Sequence, residues 1–292
     1  MMFRKSNTGA GFGQTLDVIN DSEPTLENIR SQLVTENQFH SPPYAMWCNE
    51  MKEDVRYHRK QWEFVYTLQA LECHNMLREG ARGLGLGVGK EPLPAVMAKR
   101  GCSVLATEIN IEKPHEGGWV KGSSVEDEMH DLNDRGICEP SVFRSRVSYR
   151  DVDMNQIPDD LRDFDFVWSC CSLEHLGSMR LAVEFIINSL RCLKPGGVAV
   201  HTTEYNASSN IFTIKNASTV FFRKRDIIDL ARTIRLAGHD IRLNLHKGRG
   251  KLDRHIDFPP HSQDRHLKLF VTKSGMMLVA TSIGLMIRKK LG

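Results

Sequence analysis

Three glycines at alternate positions, Gly85, Gly87 and Gly89, stand between a short apolar run and a helical pattern. Glycine lets the backbone approach a ligand closely, and the start of a helix adds exposed amide donors. A nucleotide-type cofactor is the natural ligand of such a loop. The dinucleotide fingerprint Gly-x-Gly-x-x-Gly fails in both registers, because its last position would fall on Val88 or Lys90. The loop therefore predicts a nucleotide cofactor other than a nicotinamide dinucleotide.

An acidic residue follows the glycine loop where the chain can meet a ribose. Glu108 comes directly after an apolar run and lies nineteen residues beyond Gly89. At the end of a parallel strand, an acidic side chain can accept both ribose hydroxyl protons. The spacing therefore predicts that Glu108 contacts the ribose of the cofactor.

Polar residues also follow two later apolar runs. Ser169, Glu174 and His175 end or follow one of them, and Glu204 follows the next. Ligands of open α/β sheets bind beyond the carboxyl ends of the strands, so we expect Ser169 to contact the cofactor and the others to face the reacting group. A histidine is easily poised near neutral pH, which makes His175 the candidate general base, with Glu174 and Glu204 as further catalytic candidates. The alternative for His175 is a structural residue that caps the following helix.

Short apolar runs and helical patterns alternate from residue 81 onward, as is typical of βα units on a mostly parallel sheet. Before them, an apolar period of three to four residues over 44–77 predicts amphipathic helices. We predict a flexible N-terminal arm over 1–40, a helical cap over 41–78 and one α/β domain over 79–292. The predicted strands are 83–86, 103–107, 164–169, 197–202, 241–245 and 279–287, and the predicted helices are 92–100, 179–193 and 226–237.

Several motifs in this order resemble class I S-adenosylmethionine-dependent methyltransferases. They are the Gly85-x-Gly87-x-Gly89 loop, Glu108, Asp153-Met154 followed by Ile157-Pro158, the Leu173-Glu174-His175 ending and Leu193-Lys194-Pro195-Gly196-Gly197. The resemblance implies a Rossmann-like fold, with a seven-stranded, mostly parallel sheet that contains one antiparallel strand. It also implies S-adenosylmethionine as the cofactor and a methyltransferase activity.

The same resemblance implies roles for residues around the cofactor. The glycine loop would pass its methionine end, Asp153 would take the adenine amino group, and Met154 would pack on the ring. The family commonly has an acidic residue where this chain has Gly83, and that residue helps to hold the methionine ammonium group. Glu91, just after the loop, could supply the charge from another direction.

A narrower resemblance concerns the acceptor of the methyl group. The stretches 58–63, 87–92 and 201–204 are similar to bacterial methyltransferases of surface-polysaccharide and glycan biosynthesis. That likeness implies O-methylation of a sugar or glycan hydroxyl, with His58 and His201 as candidate substrate contacts. The alternatives are a quinone-like small molecule, an RNA ribose, or a non-catalytic cofactor-binding partner of a glycosyltransferase. The last would not need polar groups beside the methyl donor.

A divalent metal is an open alternative at the acceptor side. Glu174-His175 resembles part of a Glu-x-x-Glu-His metal site in some quinone and small-RNA O-methyltransferases, but Cys171 stands at the first Glu position. Glu204 could replace it, since carboxylate and imidazole donors suit magnesium or manganese. We expect no metal, with Glu174, His175 and Glu204 as the ligand set if one binds.

Composition limits the classes of protein and of partner. The chain has 292 residues and a formal charge of +3, far from a strongly basic nucleic-acid binder, and no clear nucleic-acid partner is expected. Seven cysteines without a Cys-x-x-Cys pair indicate reduced thiols, and the N-terminus has no apolar run like that of a signal peptide, so we expect a cytoplasmic protein. The apolar stretch 276–286 is too short to span a bilayer. The expected partner is a small-molecule or glycan acceptor, and the oligomeric state stays open.

Overall fold

One mixed sheet runs through the molecule. The computed structural model describes residues 19–20, 22–109, 129–262 and 264–292. The strands of the sheet are β1 (Ile19–Asn20), β2 (Ser31–Leu33), β3 (Arg82–Leu86), β4 (Ser103–Glu108), β5 (Val147–Asp151), β6 (Phe164–Cys170), β7 (Leu193–Asn206), β8 (Asp240–Ile241), β9 (Leu243–Asn244), β10 (Leu269–Lys273) and β11 (Met276–Arg288).

Helices cover both faces of this sheet. They are α1 (Pro42–Glu50), α2 (Arg59–Cys73), α3 (Leu93–Lys99), α4 (Pro140–Arg146), α5 (Met179–Ser189), α6 (Lys224–Leu236) and α7 (Lys251–Arg254). Ser178 begins α5 by accepting a hydrogen bond from the backbone of Leu181 at 3.2 Å, a side-chain N-cap. Of the described helices, none is long and apolar enough to cross a membrane.

The order of the central strands is β5-β4-β3-β6-β7-β11, and β8 continues it beyond β11. Neighbouring strands from β5 to β7 are parallel, whereas β11 runs antiparallel to β7. Parallel neighbours need crossover helices, and the alternating sequence supplies them. The predicted fold class, an α/β class I methyltransferase fold with one antiparallel strand in its core, is confirmed. Strands β1, β2, β9 and β10 extend the sheet beyond that core.

Several elements differ from the sequence prediction, and four of them bear on the core of the sheet. Strand β5 was not predicted, because its alternate residues are polar and partly exposed at the edge of the sheet. The strand predicted over 241–245 is divided into β8 and β9, and the strand predicted over 197–202 extends over the whole of β7. The helix predicted over 179–193 ends at Ser189 in a 3₁₀ turn, Leu190–Cys192, after which β7 begins.

The N-terminal region is packed from residue 22 onward. The predicted flexible arm covers 1–40, of which residues 1–18 and 21 lie outside the described residues. Strand β2 hydrogen-bonds to both β9 and β11, and Leu26 is fully buried. Pairing satisfies the backbone of this segment and holds it against the core. The boundaries proposed at residues 40 and 78 stay predictions.

The cap predicted over 41–78 contains α1 and α2, and α2 is fixed to the N-terminal region by polar contacts. Trp62 Nε1 donates to Gln38 Oε1 at 2.9 Å, and Gln32 Nε2 donates to the same oxygen at 2.7 Å. Tyr66 Oη donates to the backbone carbonyl of Arg30 at 2.8 Å. These bonds satisfy buried side chains and set the orientation of α2 over the sheet.

Candidate functional site

The glycine loop connects β3 to α3 and leaves room for a ligand. Gly87 has φ +70°, and a Cβ there would lie 2.8 Å from both Met154 Sδ and Ser172 Cβ. Gly89 has φ +50°, and a Cβ there would meet no heavy atom within 4 Å. Gly85 lies within β3, where its carbonyl accepts a hydrogen bond from Thr107 Oγ1 at 2.8 Å. The loop is therefore closed on the side of Met154 and open at Gly89.

Acidic side chains lie beside this loop. Glu108 ends β4, and its two oxygens accept hydrogen bonds from the backbone N–H groups of Gly89 (3.0 Å) and Ile109 (2.9 Å). Asp153 caps a 3₁₀ turn, Met154–Gln156, by accepting from the backbone of Asn155 at 2.8 Å. The backbone N–H of Val152 donates to the carbonyl of Glu108 at 3.0 Å, which brings the two acidic residues to one edge of the sheet.

These residues fit S-adenosylmethionine by the chemistry of their donors and acceptors. The carboxylates of Glu108 and Asp153 can accept from ribose hydroxyls and from an adenine amino group. Met154 is buried against the glycine loop, where it offers an apolar surface to a ring. The structure thus brings together the loop, Glu108, Asp153 and Met154, as the sequence predicted; their contacts with the cofactor stay predictions.

Glu91 is directed into the core rather than along the loop. Its carboxylate accepts a hydrogen bond from the indole N–H of Trp168, and its side chain is almost completely buried. Burial raises the pKa of Glu91 to about 8, and the nearby Glu108 and Glu63 carboxylates add to the rise. A carboxyl with this pKa is mostly protonated at neutral pH. Its proposed role toward the methionine ammonium group stays a prediction.

His201 and Ser169 form a buried polar chain away from the loop. His201 Nδ1 lies 2.8 Å from Ser169 Oγ, and its Nε2 lies 3.0 Å from Ser189 Oγ. The ring is fully buried with its edge against Phe185, and burial lowers the pKa of His201 to about 3. The neutral ring links β6, β7 and α5. In this structure His201 and Ser169 are hydrogen-bonded to each other, and the expected contacts of His201 with substrate and of Ser169 with the cofactor stay predictions.

His58 begins α2 as its N-cap. Its Nδ1 accepts a hydrogen bond from the backbone of Lys60 at 3.1 Å, and its ring stacks on that of His266 at 4.5 Å. Burial, His266 and nearby cations lower the pKa of His58 to about 4, so the ring is neutral. The observed role of His58 is that of a helix cap, and its expected contact with substrate stays a prediction. The next two residues of the helix, Arg59 and Lys60, are charged.

Those residues form an ion-pair cluster with Glu204 on β7. Arg59 Nη1 lies 2.8 Å and Lys60 Nζ lies 3.3 Å from Glu204 Oε1. Glu63 Oε1 lies 3.7 Å from the Arg59 guanidinium and 3.6 Å from Lys60 Nζ. Burial alone would raise the pKa of Glu204, but the attraction of Arg59 and Lys60 outweighs it and lowers the pKa. Glu204 is therefore a carboxylate held between two cations.

Glu63 connects α2 to the strand ends below it. Thr202 Oγ1 donates to Glu63 Oε2 at 3.0 Å, and the Ser282 hydroxyl and Cys171 thiol also donate to this carboxylate. Lys60 Nζ lies 2.6 Å from Cys171 Sγ. Through these contacts α2 is fixed to β7, to β11 and to the residue that follows β6. The helix thus forms one wall of the site.

Glu174 lies in the 3₁₀ turn Leu173–His175 that follows β6 and is completely buried. Its Oε2 accepts a hydrogen bond from Thr203 Oγ1 at 3.1 Å. Burial raises the pKa of Glu174 to about 8; Lys60 acts in the opposite direction, while Glu204 and Glu63 add to the rise. At neutral pH this carboxyl therefore holds a proton, in contrast to Glu204.

His175 is half-exposed and adjoins Glu174. Its Nδ1 lies 2.7 Å from the backbone carbonyl of Ser218, and its Nε2 lies 4.0 Å from Glu174 Oε1. Because a carbonyl only accepts hydrogen bonds, it fixes the ring hydrogen on Nδ1. The neutral ring then has Nε2 free to accept a proton on the side of Glu174.

Three buried polar atoms of this cluster have no hydrogen-bond partner within the described residues: Arg59 Nε, Glu174 Oε1 and Glu204 Oε2. An unsatisfied buried polar group costs about 1–3 kcal/mol, so three in one cluster indicate a missing partner. Arg59 Nε is a hydrogen-bond donor, and Oε2 of the ionised Glu204 is a strong hydrogen-bond acceptor. We call Arg59, Lys60, Glu63, Glu174 and Glu204 the acceptor cluster.

A divalent metal does not suit this arrangement. In the part of the chain that the structure describes, no group of three or more His, Cys, Asp or Glu side chains is placed to hold a metal ion. Glu204 Oε1 already contacts both Arg59 and Lys60, and these cations would repel a metal at the set Glu174, His175 and Glu204.

Sequence reasoning missed Arg59, Lys60 and Glu63 as site residues. A signal was present, because Arg59 and Glu63 are four residues apart on the same helical face as Trp62 and Tyr66. Charged residues on an apolar stripe are rarely buried unless they are paired. A pair at that spacing predicts a buried ion pair at the wall of the domain.

Residues 84–201 match the family described as "Methyltransferase domain". This stretch of the chain is similar to a methyltransferase domain. The matched part includes the glycine loop, Glu108, Asp153 and the Glu174-His175 pair. Helix α2 and Glu204 lie outside it, so the acceptor cluster combines residues of the methyltransferase domain with residues on either side.

Solved methyltransferase structures resemble the fold at low identity. One is a S-adenosylmethionine-dependent methyltransferase from Methanosarcina mazei, with 13% identity over 76% of this chain and 98% of that chain, and a TM-score of 0.44. Another is the magnesium protoporphyrin IX methyltransferase from Synechocystis with bound S-adenosylhomocysteine, with 12% identity over 87% of this chain and 97% of that chain, and a TM-score of 0.45.

A third, from Galdieria sulphuraria, is assigned as a sarcosine dimethylglycine methyltransferase. It shares 18% identity over 51% of this chain, and the match spans 47% of its own length with a TM-score of 0.36. No curated protein matches the chain.

Proposed function

We propose that this S-adenosylmethionine-dependent methyltransferase methylates a hydroxyl group of a sugar or glycan, in the synthesis of a polysaccharide. The observation that supports the proposal is the set of unpartnered buried atoms in the acceptor cluster, Arg59 Nε, Glu174 Oε1 and Glu204 Oε2. A hydroxyl both donates and accepts hydrogen bonds, so adjacent hydroxyls can satisfy a guanidinium N–H and a carboxylate together.

The charge of the cluster favours a neutral acceptor. Arg59 and Lys60 are balanced by Glu63 and Glu204, and Glu174 is protonated at neutral pH. A phosphate or carboxylate acceptor would face two carboxylates whose cations are already paired. A polyol is uncharged and is not repelled by these carboxylates, which favours a sugar hydroxyl over an anionic acceptor.

The cofactor and the acceptor would contact different sets of residues. Gly89, Glu108, Asp153 and Met154 would bind and orient the cofactor, which supplies the methyl group when bound. The chain must then align the acceptor oxygen, exclude water and remove its proton. Helix α2 closes one side of the site through its buried contacts with β7 and β11.

His175 is the proposed proton acceptor. The Ser218 carbonyl holds the ring hydrogen on Nδ1, which leaves Nε2 to take the proton of the acceptor hydroxyl. The neutral Glu174 carboxyl, whose Oε1 lies 4.0 Å away, would keep its own proton and present this oxygen to the new N–H of the imidazolium. With its proton transferred to His175 Nε2, the hydroxyl oxygen would be free to receive the methyl group that the cofactor would supply when bound.

A cytoplasmic location belongs to the same proposal. All seven cysteines are free, Cys170 and Cys171 included. Free thiols are typical of reducing compartments such as the cytoplasm. An enzyme in the cytoplasm would have direct access to S-adenosylmethionine and to activated sugars.

The decisive experiment measures transfer of labelled methyl groups from S-adenosylmethionine to three acceptor sets: nucleotide-sugars and glycans, quinol precursors, and RNA. We expect methyl ethers on a sugar alone. Labelling of a quinol or an RNA ribose would replace the proposal, and binding of S-adenosylhomocysteine without turnover on any acceptor would indicate a non-catalytic protein.

His175→Ala tests the proposed base. Loss of a general base costs about 10²–10⁴-fold in rate, whereas affinity for S-adenosylhomocysteine and melting temperature should stay near wild type. His246→Ala, a substitution in the loop after β9, is the matched control and should leave turnover unchanged. If His175→Ala keeps its turnover, Glu204 becomes the next candidate for the base.

A further inference from the structure

The loop between β7 and α6 presents two apolar side chains to solvent. Ile211 is 66% exposed and Phe212 is 69% exposed. Their backbone is nevertheless held in place, because both N–H groups donate to Ser209 Oγ, at 3.1 and 3.0 Å. Asn206 Nδ2 donates to the carbonyl of Phe212 at 3.0 Å. We call Ile211 and Phe212 the docking tip.

The loop that carries the docking tip is rich in basic residues. Residues 205–225 contain four Lys and Arg and no Asp or Glu. Of these, Arg223 is buried and paired with Asp226 at 2.6 Å, whereas Lys215, Lys224 and Arg225 are exposed. The guanidinium of Arg225 donates to the carbonyl of Ile211 at 2.5 Å, which places its charge directly beside the tip.

A further cation comes from outside this loop. Lys247 Nζ donates to the carbonyl of Ala207 at 2.9 Å, at the start of the same loop, and Lys247 is exposed. The surface around the tip is thus basic on both sides, although the whole chain carries a formal charge of only +3.

We propose that the docking tip binds to the surface of an anionic lipid bilayer. Apolar side chains that enter the boundary between headgroups and acyl chains, beside basic residues that attract anionic headgroups, form a typical interfacial membrane contact. Two projecting side chains present far less than the roughly 800 Å² per partner that a stable protein interface buries. A bilayer surface needs no such area of shape complementarity.

The far end of the same loop contacts the acceptor cluster. Ser218 holds His175 through its carbonyl, and the backbone N–H of Val220 donates to the carbonyl of Glu174 at 3.0 Å. Docking of the tip would therefore bring the acceptor side of the enzyme next to the bilayer, where a membrane-bound acceptor is presented. The docking itself does not depend on the identity of the acceptor.

The test is co-sedimentation of the full chain with vesicles of phosphatidylcholine, with and without phosphatidylglycerol. We expect binding only when phosphatidylglycerol is present, and weaker binding at high salt because screening reduces the attraction. The double variant Ile211→Ser/Phe212→Ser should bind at least about tenfold more weakly, because two apolar side chains no longer enter the bilayer. Lys215→Gln/Lys224→Gln should also weaken binding.

Leu236→Ser is the matched control. Leu236 is 90% exposed at the far end of α6, about 18 Å along the helix from Lys224. This variant should bind vesicles like wild type. All variants change exposed side chains, so equal melting temperatures establish that each is folded.

Three outcomes would overturn the proposal. They are absence of binding to phosphatidylglycerol vesicles, equal binding to phosphatidylcholine alone, and unchanged binding by the double variant of Ile211 and Phe212. A change in oligomeric state in that variant, measured by light scattering while vesicle binding persists, would instead make the tip a contact between copies of this chain. Turnover on a soluble acceptor should not change in the double variant.

Discussion

Glu174→Gln is expected to flatten the pH dependence of stability near neutral pH. Burial raises the pKa of Glu174 from 4.5 to about 8. The folded protein therefore holds a proton on this carboxyl that the unfolded chain has already released. Because the folded state binds the extra proton, the contribution of Glu174 to stability is fully present below the unfolded pKa and is lost as the pH rises through the folded pKa.

The size of this effect follows from the two pKa values. One proton of difference changes the free energy of unfolding by about 1.4 kcal/mol per pH unit. Between about pH 6 and about pH 8 the contribution of Glu174 should fall by about 2 kcal/mol, since the slope decreases as the folded carboxyl begins to ionise. Glutamine keeps an oxygen for the Thr203 hydroxyl and cannot ionise, so this part of the slope should disappear.

The assay is urea unfolding at a series of pH values, followed by the fluorescence of the four tryptophans. Glu184→Gln, on the exposed side of α5, is the control and should keep the wild-type slope. If Glu174→Gln loses stability with pH as steeply as wild type, the Glu174 carboxyl is already ionised in the folded protein. Lys60 would then control the site more strongly than burial does, and the argument for a protonated Glu174 would fail.

Glu108→Ala should weaken binding of S-adenosylhomocysteine, because hydrogen bonds to a charged acceptor are worth about 1.5–3 kcal/mol each. Calorimetry measures the affinity, and Glu139→Ala, which changes an exposed helix cap, is the control. Unchanged affinity would remove Glu108 from the site. Gly87→Ala should lower the melting temperature more than Gly80→Ala: the two residues have φ +70° and +77°, but only at Gly87 would the new Cβ meet side chains at 2.8 Å. Equal losses would contradict the crowding at this loop. His201→Ala should lower the free energy of unfolding by about 1–3 kcal/mol, because the buried hydroxyls of Ser169 and Ser189 lose their hydrogen bonds to the ring. The KM values should stay unchanged. A raised KM for the acceptor would instead support a contact between His201 and substrate.

The cofactor side could be predicted from the sequence because its signals are local. The glycine spacing and the position of Glu108 at a strand end both follow from short stretches of chain, and the structure places Gly89 and Glu108 within one hydrogen bond of each other. Strand β5 was missed because its polar alternate residues are typical of a loop as much as of an edge strand. Periodicity alone does not separate the two.

The acceptor side depends on contacts between distant parts of the chain. The carboxylate of Glu204 meets Lys60 across 144 residues, and Glu63 meets Ser282 across 219 residues. No local pattern encodes such pairs. His201 illustrates the same limit, because only the packing of α5 against β7 reveals that Ser189 occupies its second nitrogen.

The candidate cofactor contacts and the charged residues of α2 lie on separate parts of the chain, so sequence changes in one part need not affect the other. The candidate cofactor contacts lie at the ends of β3, β4 and β5, whereas Arg59, Lys60 and Glu63 come from a helix that precedes them all in the chain. If the proposed function holds, substitutions on the inner face of α2 would alter the choice of acceptor and leave the candidate cofactor contacts intact. The same separation means that a fragment limited to 84–201 would keep the glycine loop, Glu108 and Asp153 but lose Arg59, Lys60, Glu63 and Glu204 of the acceptor cluster.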